Sequence, residues 1–300
     1  MNRNSKNIIT RAIKSYRTWL EKNRDQSIEF APVYIKKSFD LDDFGAIKTL
    51  PISLSDLANV FGSQGCLDIL DEKPAGWQFV GRSLAYHEWA IRLCAEAFFR
   101  QAFLGKFRDV VNLTAQLSTI ANMLCSAIVR NRSKSQLELT QTMLRAFTVP
   151  DAVSDVFWRV SRFEPFVLQL LHKVYGQHLP NRLEAMDMRV FGPVLQHWDE
   201  PTELSAAIVR VCDYHCRNIF DRGRKDRPPE FMDSPFALIP FEVLAIYKLR
   251  DSMGLETPAV EHPILMTPLA KVDCPSLEFA GDELTDRVQR LFNNFFATDM

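Results

Sequence analysis

The sequence predicts an all-α fold. Three observations lead there: apolar residues recur at three- and four-residue spacing in most segments, short breaks carrying glycine or proline separate those segments, and no series of alternating strands lies between them. The expected architecture is an antiparallel helical bundle or an irregular array of helical hairpins, with a short extended segment near the N-terminus. Residues 1–300 are read as one helical domain, with a sub-boundary, if any, near Pro150.

The first helix runs from Asn4 to Lys22, where Ile8, Ile9, Ala12, Ile13, Tyr16, Trp19 and Leu20 form one stripe and basic residues fill the other face. Between Arg24 and Pro51 the helical spacing fails. Two prolines, a glycine and the acidic group Asp40, Asp42 and Asp43 read as an extended linker, and the alternation of Phe30, Val33, Ile35 and Phe39 allows a short strand. Ser53 or Ser55 then caps a short helix that Gly62 and Gly65 interrupt before Cys66–Leu70 resumes it.

After Lys73-Pro74-Ala75-Gly76, a long helix is expected over Trp77–Phe103, with Val80, Leu84, Ile91, Cys94, Phe98 and Ala102 inward. Beyond Gly105 a second helix follows through Val110, Leu113, Leu117, Ile120, Leu124 and Ile128, and so short a connection implies antiparallel neighbours. Further helices open at Ser133 or Ser135 and at Asp151 or Ser154, the latter kinked or divided by Pro165 and stopped at Gly176. A shorter one spans Arg182–Trp198, and another starts at Thr202 with Leu204, Ala207, Ile208, Val211 and Tyr214 inward. The charged loop Asp221–Pro229 separates it from a densely apolar helix over Phe236–Tyr247, closed by Gly254. Pro258, Pro263 and Pro268 prevent renewed helix before the last one, Asp282–Phe296.

Composition narrows the function classes. With 47% hydrophobic and 24% charged residues the chain is a folded protein rather than a disordered one. A net charge of −1 gives no global field toward a phosphate backbone, so no direct nucleic-acid binding is expected. No run of about 18 apolar residues suits a membrane span, and the polar N-terminus lacks the apolar segment of a signal peptide. The six scattered cysteines suit buried thiols in a reducing cytosol, and the expected location is cytoplasmic.

The catalytic signatures are not met. Cys212, His215 and Cys216 share a helix face, as a metal site requires, but no second Cys/His pair stands at ligand spacing; two buried thiols beside a histidine is the favoured reading. His87-Glu88 opens like a metalloprotease motif, yet Ile91 occupies the place of its second histidine. There is no GxSxG elbow, Walker A loop or GxGxxG after a strand. Glu242 and His262 read as packed residues, hydrogen-bonded to neighbouring segments. No catalytic residue, metal or cofactor is expected, and the protein is not expected to be an enzyme.

The stretch PFEVLAIYKLRDSMGL, an apolar helix carrying an early Glu242 and followed by a short loop, and the helix pair across Gly105 resemble the all-helical immunity proteins of bacterial polymorphic and type VI secretion toxins, including the PoNe-immunity group. The resemblance implies a cytosolic protein that binds a cognate toxin, often a nuclease, and blocks its active site. The chain departs from that pattern in lacking a strongly acidic balance. Candidate interface residues, chosen by charge, are Asp40, Asp42 and Asp43, suited to covering a basic groove, and Arg222, Arg224 and Lys225, suited to an acidic partner. The alternatives are a helical scaffold or adaptor for another protein and a helical hydrolase with a site between helices.

Overall fold

The computed structural model describes residues 3–40, 43–104, 113–150, 152–220 and 229–296, and these contain helices, turns and bends but no strand. The all-α expectation is met. The chain forms two compact units: Ile13–Val111 with Asp273–Met300, and Met1–Ala12 with Asn112–Val272. Position 150 lies inside the second of these. None of the helices described is long and apolar enough to cross a membrane.

The first unit is built on a helical hairpin. Helix α1 (Arg3–Phe39) contributes its residues from Ile13 onward, followed by α2 (Asp43–Leu70), α3 (Gly76–Leu104) and, from the C-terminal end, α12 (Glu283–Phe296). The extended segment expected between Arg24 and Pro51 is helical instead. A strand would place Val33 and Ile35 on one face, but Val33 is exposed and Ile35 buried. Ile35 and Phe39, four apart, share a helical face and pack with Leu50, Leu54 and Leu57. Pro51 removes one backbone donor inside α2, yet Leu50 and Leu54 on either side are fully buried. Each such leucine contributes ~1.5–3 kcal/mol, which offsets a proline penalty of ~3 kcal/mol.

Gly62 and Gly65 do not interrupt α2 either. Gly65 lies where α2 and α3 approach closely: a Cβ there would stand 2.7 Å from the Gly76 carbonyl oxygen and 2.8 Å from the Val80 nitrogen. Further along, the Ser83 hydroxyl donates to the Ala58 carbonyl at 2.6 Å, and Tyr86 and Leu93 join the cluster of Leu50, Leu54 and Leu57. Contacts that run backward in α2 as they run forward in α3 define an antiparallel pair. Helix α12 closes this core with Val288 and Phe296 buried and Leu284, Leu291, Phe292 and Phe295 packed beside them.

The second unit surrounds α4 (Leu117–Val129), of which nearly every residue is buried. The helix starts later than expected, after a 3-10 turn at Leu113–Ala115, and the expected Val110 turn lies outside the described residues. Its neighbours are α5 (Ser133–Thr148), α7 (Phe163–Tyr175) and α11 (Phe241–Ser252). Helix α6 (Asp155–Val160) is capped by Ser154, whose hydroxyl accepts from the Phe157 N–H, and the chain breaks before α7, in whose first turn Pro165 lies. The single helix expected over Arg182–Trp198 is three short pieces: α8 (Asn181–Glu184), a 3-10 turn at Arg189–Phe191 and α9 (Gly192–Gln196). Arg189 has a positive φ of 48°, which no continuous helix permits. These pieces seat Phe191 and Trp198 in the interior, with Phe191 stacked on Phe166 at 4.6 Å.

Helix α10 (Pro201–Arg217) follows the predicted stripe. Helix α11 begins at Phe241 rather than Phe236, because Pro240 disfavours helical geometry in the residue before it and leaves Phe236–Ile239 as buried turns. Gly254 closes α11 at φ 69°, and the Leu255 N–H donates to the Arg250 carbonyl in the six-residue bond that such a stop requires. In the proline-punctuated return Ile264 and Leu269 are buried, while Met266 is exposed.

Gly65→Ala should destabilise the protein by ~1–3 kcal/mol, because the backbone atoms facing the new methyl cannot step aside as a side chain would. Gly192→Ala, whose Cβ meets only Met188 at 3.8 Å, should stay within about 0.5 kcal/mol of the parent. Urea unfolding of the two variants checks both; equal midpoints would contradict the close approach.

Candidate functional site

The unit around α4 keeps its reactive groups inside. His215 on α10 and Glu242 in the first turn of α11 are both 0% exposed, with imidazole Nδ1 2.8 Å from the Glu242 Oε1. The other nitrogen, Nε2, lies 3.2 Å from the Ala237 carbonyl. A carbonyl only accepts, so Nε2 carries a hydrogen, and Nδ1 and Oε1 hold one proton between them. Phe231 stacks on the imidazole at 4.3 Å and covers it. The expected reading of Glu242 as a residue bonded to a neighbouring segment is met.

Cys212 and Cys216 flank His215 on the buried face of α10, but both imidazole nitrogens are already engaged. Among the described residues no group of three or more His, Cys, Asp or Glu is arranged to hold a metal. Burial, with the Asp213 charge adding to it, pushes the Cys216 thiol up to about 12; burial, with Glu242 adding, pushes Cys125 and Cys212 well above the ordinary thiol range. The thiolate is the reactive form, so these are inert cysteines. His262 is also buried: its Nδ1 accepts from the Ile264 N–H at 3.3 Å, and its Nε2 faces Asp213 Oδ1 at 3.2 Å. Burial lowers its basicity, against the opposing pull of Asp213. An acid, a base and three thiols are thus buried among the helices of this unit.

The hairpin unit presents the open site. A cavity of about 540 Å³ is lined by residues of α1, α2, α3 and the start of α12. Its walls are Ile35 and Phe39 of α1, Leu57 and Phe61 of α2, and Leu284 of α12. Arg82 and Tyr86, one turn apart on α3, meet Asp282 at its polar end. Arg82 lies over the Phe61 ring at 4.3 Å, its Nε donates to the Tyr86 hydroxyl at 3.0 Å, and its terminal nitrogen donates to Asp282 Oδ2 at 2.8 Å. The Tyr86 hydroxyl donates to the same carboxylate oxygen at 2.6 Å.

Asp282 is also the N-cap of α12. Its Oδ1 accepts from the Thr285 N–H at 2.9 Å, while the Thr285 hydroxyl accepts from the Asp282 N–H at 2.7 Å, a reciprocal cap. Burial raises the Asp282 pKa, but the hydrogen bonds from Tyr86, Thr285 and Arg82 outweigh it and hold the carboxyl below its usual range. Burial and the adjoining carboxylate push the Tyr86 phenol far up, so it remains a donor at neutral pH. At the mouth stand Lys36, Arg287 and Glu283, all exposed, with the Arg287 guanidinium 4.0 Å over the Phe39 ring.

Of the residues chosen from sequence, Asp40 is exposed in the turn after α1, one position beyond Phe39, and Asp43 is the first residue of α2. Asp42, Arg222, Arg224 and Lys225 lie outside the described residues. Sequence reasoning missed Arg82, Tyr86 and Asp282. Local signals existed for each: Arg82 and Tyr86 have i, i+4 spacing on a predicted helix, and Asp282 stands three residues before Thr285 at a predicted helix start. The chain matches no protein-family model, no curated protein and no solved structure.

Glu242→Ala strands the buried His215 Nδ1 and should cost ~2–4 kcal/mol, whereas Glu242→Gln keeps the volume and offers an amide hydrogen, costing about half as much. Their urea midpoints should fall in that order; an alanine variant as stable as the parent would mean that the pair contributes nothing. A second measurement addresses Asp282. Its folded carboxyl is harder to protonate than the unfolded one, so the stability it supplies is in place above about pH 4 and drains as pH falls through 3.8 toward the lower folded value. Asp282→Asn should lower stability at neutral pH and flatten that acid-side loss, as urea melts between about pH 7 and pH 2.5 would reveal.

Proposed function

We propose that this protein is a non-enzymatic binding protein, specifically an immunity protein that neutralises a cognate bacterial toxin by covering its active site. The observation that carries the reading is the open cavity of the hairpin unit, with Arg82 held over Phe61 at its polar end and the exposed Arg287 held over Phe39 at its mouth. Arginine and aromatic side chains dominate the energetics of protein interfaces, and residues held in place beforehand lose little entropy on binding. Exposed apolar side chains lie nearby. Thr49 Oγ1 donates to Ser38 Oγ at 2.6 Å across the α1–α2 turn, and one helical turn further on Tyr34 and Ile52 are 57% and 67% exposed. The groups that an enzyme would need, His215, Glu242 and the thiols, are spent on the interior of the other unit.

The immunity form of the reading rests on the resemblance carried by Pro240–Leu255. It brings with it a bacterial cytoplasmic location, a toxin partner of polymorphic or type VI secretion type, often a nuclease, and no cofactor or direct contact with nucleic acid.

Co-expression with the product of the adjacent reading frame, in a host that this product poisons, is expected to restore growth and to yield a stoichiometric complex on co-purification. A complex without rescue would point to the adaptor alternative. The absence of both rescue and complex would overturn the binding reading.

A further inference from the structure

We infer that the cavity of the hairpin unit receives an acidic anchor from the bound partner: an apolar or aromatic side chain with a carboxylate close beside it. The inference rests on the protein-binding reading above and names the chemistry of the partner that this site accepts. Its volume of about 540 Å³ is in the range of sites that enclose a ligand group, about 300–1,000 Å³. The walls, Ile35, Phe39, Leu57, Phe61 and Leu284, are apolar and would welcome an apolar body.

Polarity at the inner end is already satisfied. Arg82, Tyr86 and Asp282 bond to one another, so the triad gives the cavity a fixed shape and does not call for a charged guest. The mouth differs. Lys36 Nζ and the Arg287 guanidinium have no carboxylate partner among the described residues, and Glu283, the one acidic residue on the rim, is not within ion-pair distance of either. The face of the Arg287 guanidinium is taken by the Phe39 ring, which leaves its N–H edge for an acceptor. A planar, forked edge of this kind suits a carboxylate, and Lys36 adds a second positive charge. A basic segment would meet two like charges there and be repelled. Apolar walls with an unmatched cationic rim therefore select an acidic, apolar anchor over a basic one.

The test uses the full-length protein, the purified product of the adjacent reading frame and two fluorescent probes. Anilinonaphthalene sulfonate joins an aromatic body to one anionic group; phenylnaphthylamine is its uncharged counterpart. The parent protein should bind the sulfonate saturably, and the partner should displace it. Reversing the rim with Lys36→Glu and Arg287→Glu together should weaken the sulfonate and the partner about tenfold or more each, while phenylnaphthylamine changes less than about twofold. Leu284→Trp, which fills the cavity from the half-buried Leu284 position on its wall, should expel both probes, and a far-UV spectrum and cooperative melt like the parent's should show that the fold is kept. If the complex forms but leaves the sulfonate bound, or if the reversed rim binds the partner within about twofold of the parent, the anchor is overturned while the binding reading stands. If the parent forms no complex, the binding reading itself falls, and the anchor with it.

Discussion

A polar group sealed among packed helices must find its partner there, because no water stands ready to replace one. This constraint explains much of the side-chain arrangement. In the unit around α4 it pairs His215 with Glu242 and with the Ala237 carbonyl, ties Asn122 to the Ser118 and Glu230 carbonyls, and sets the Ser118 hydroxyl on Glu164. In the hairpin unit the half-buried Asp282 caps α12 and takes hydrogen bonds from Arg82 and Tyr86 at the same time. One carboxylate thus joins the start of a helix to the polar end of a cavity. The shape of that cavity is a consequence of how the helix is capped.

The same chemistry serves opposite ends in the two units. Around α4, an acid–base pair and several thiols are enclosed so fully that they hold elements together and do nothing at the surface. In the hairpin unit, Arg82 lies over Phe61 with its N–H groups bonded to Tyr86 and Asp282, while the exposed Arg287 lies over Phe39 with its polar edge presented. The first arrangement gives stability and orientation to α10 and α11; the second gives a preorganised face. The proposed binding role draws on the second arrangement.

Much of the helical order was legible in the sequence. The stripes of α3 and α10 follow from three- and four-residue spacing, and the stops at Gly176 and Gly254 follow from their left-handed conformation. The misreadings share a cause. Glycine and proline read locally as breakers, yet Gly65 lies within a helix where α3 packs closely against it, and Pro51 lies within the same helix with the leucines beside it buried. Conversely, the spacing over 182–198 predicts one helix, whereas the segment is broken and buries Phe191 and Trp198. Of the site, Glu242 was recognised as a bonded core residue, while the cavity was missed because Arg82 and Asp282 are 200 residues apart.

By itself the sequence determined that the chain is helical, which faces of most helices turn inward, and that the usual catalytic motifs are lacking, since each of these depends on residues within a few turns of one another. Only the tertiary structure decided where glycine permits close packing rather than a break, which carboxylate meets which base, and that an arginine, a tyrosine and an aspartate meet beside an apolar cavity. Those are contacts between distant segments, and their energies depend on separations that local spacing does not encode.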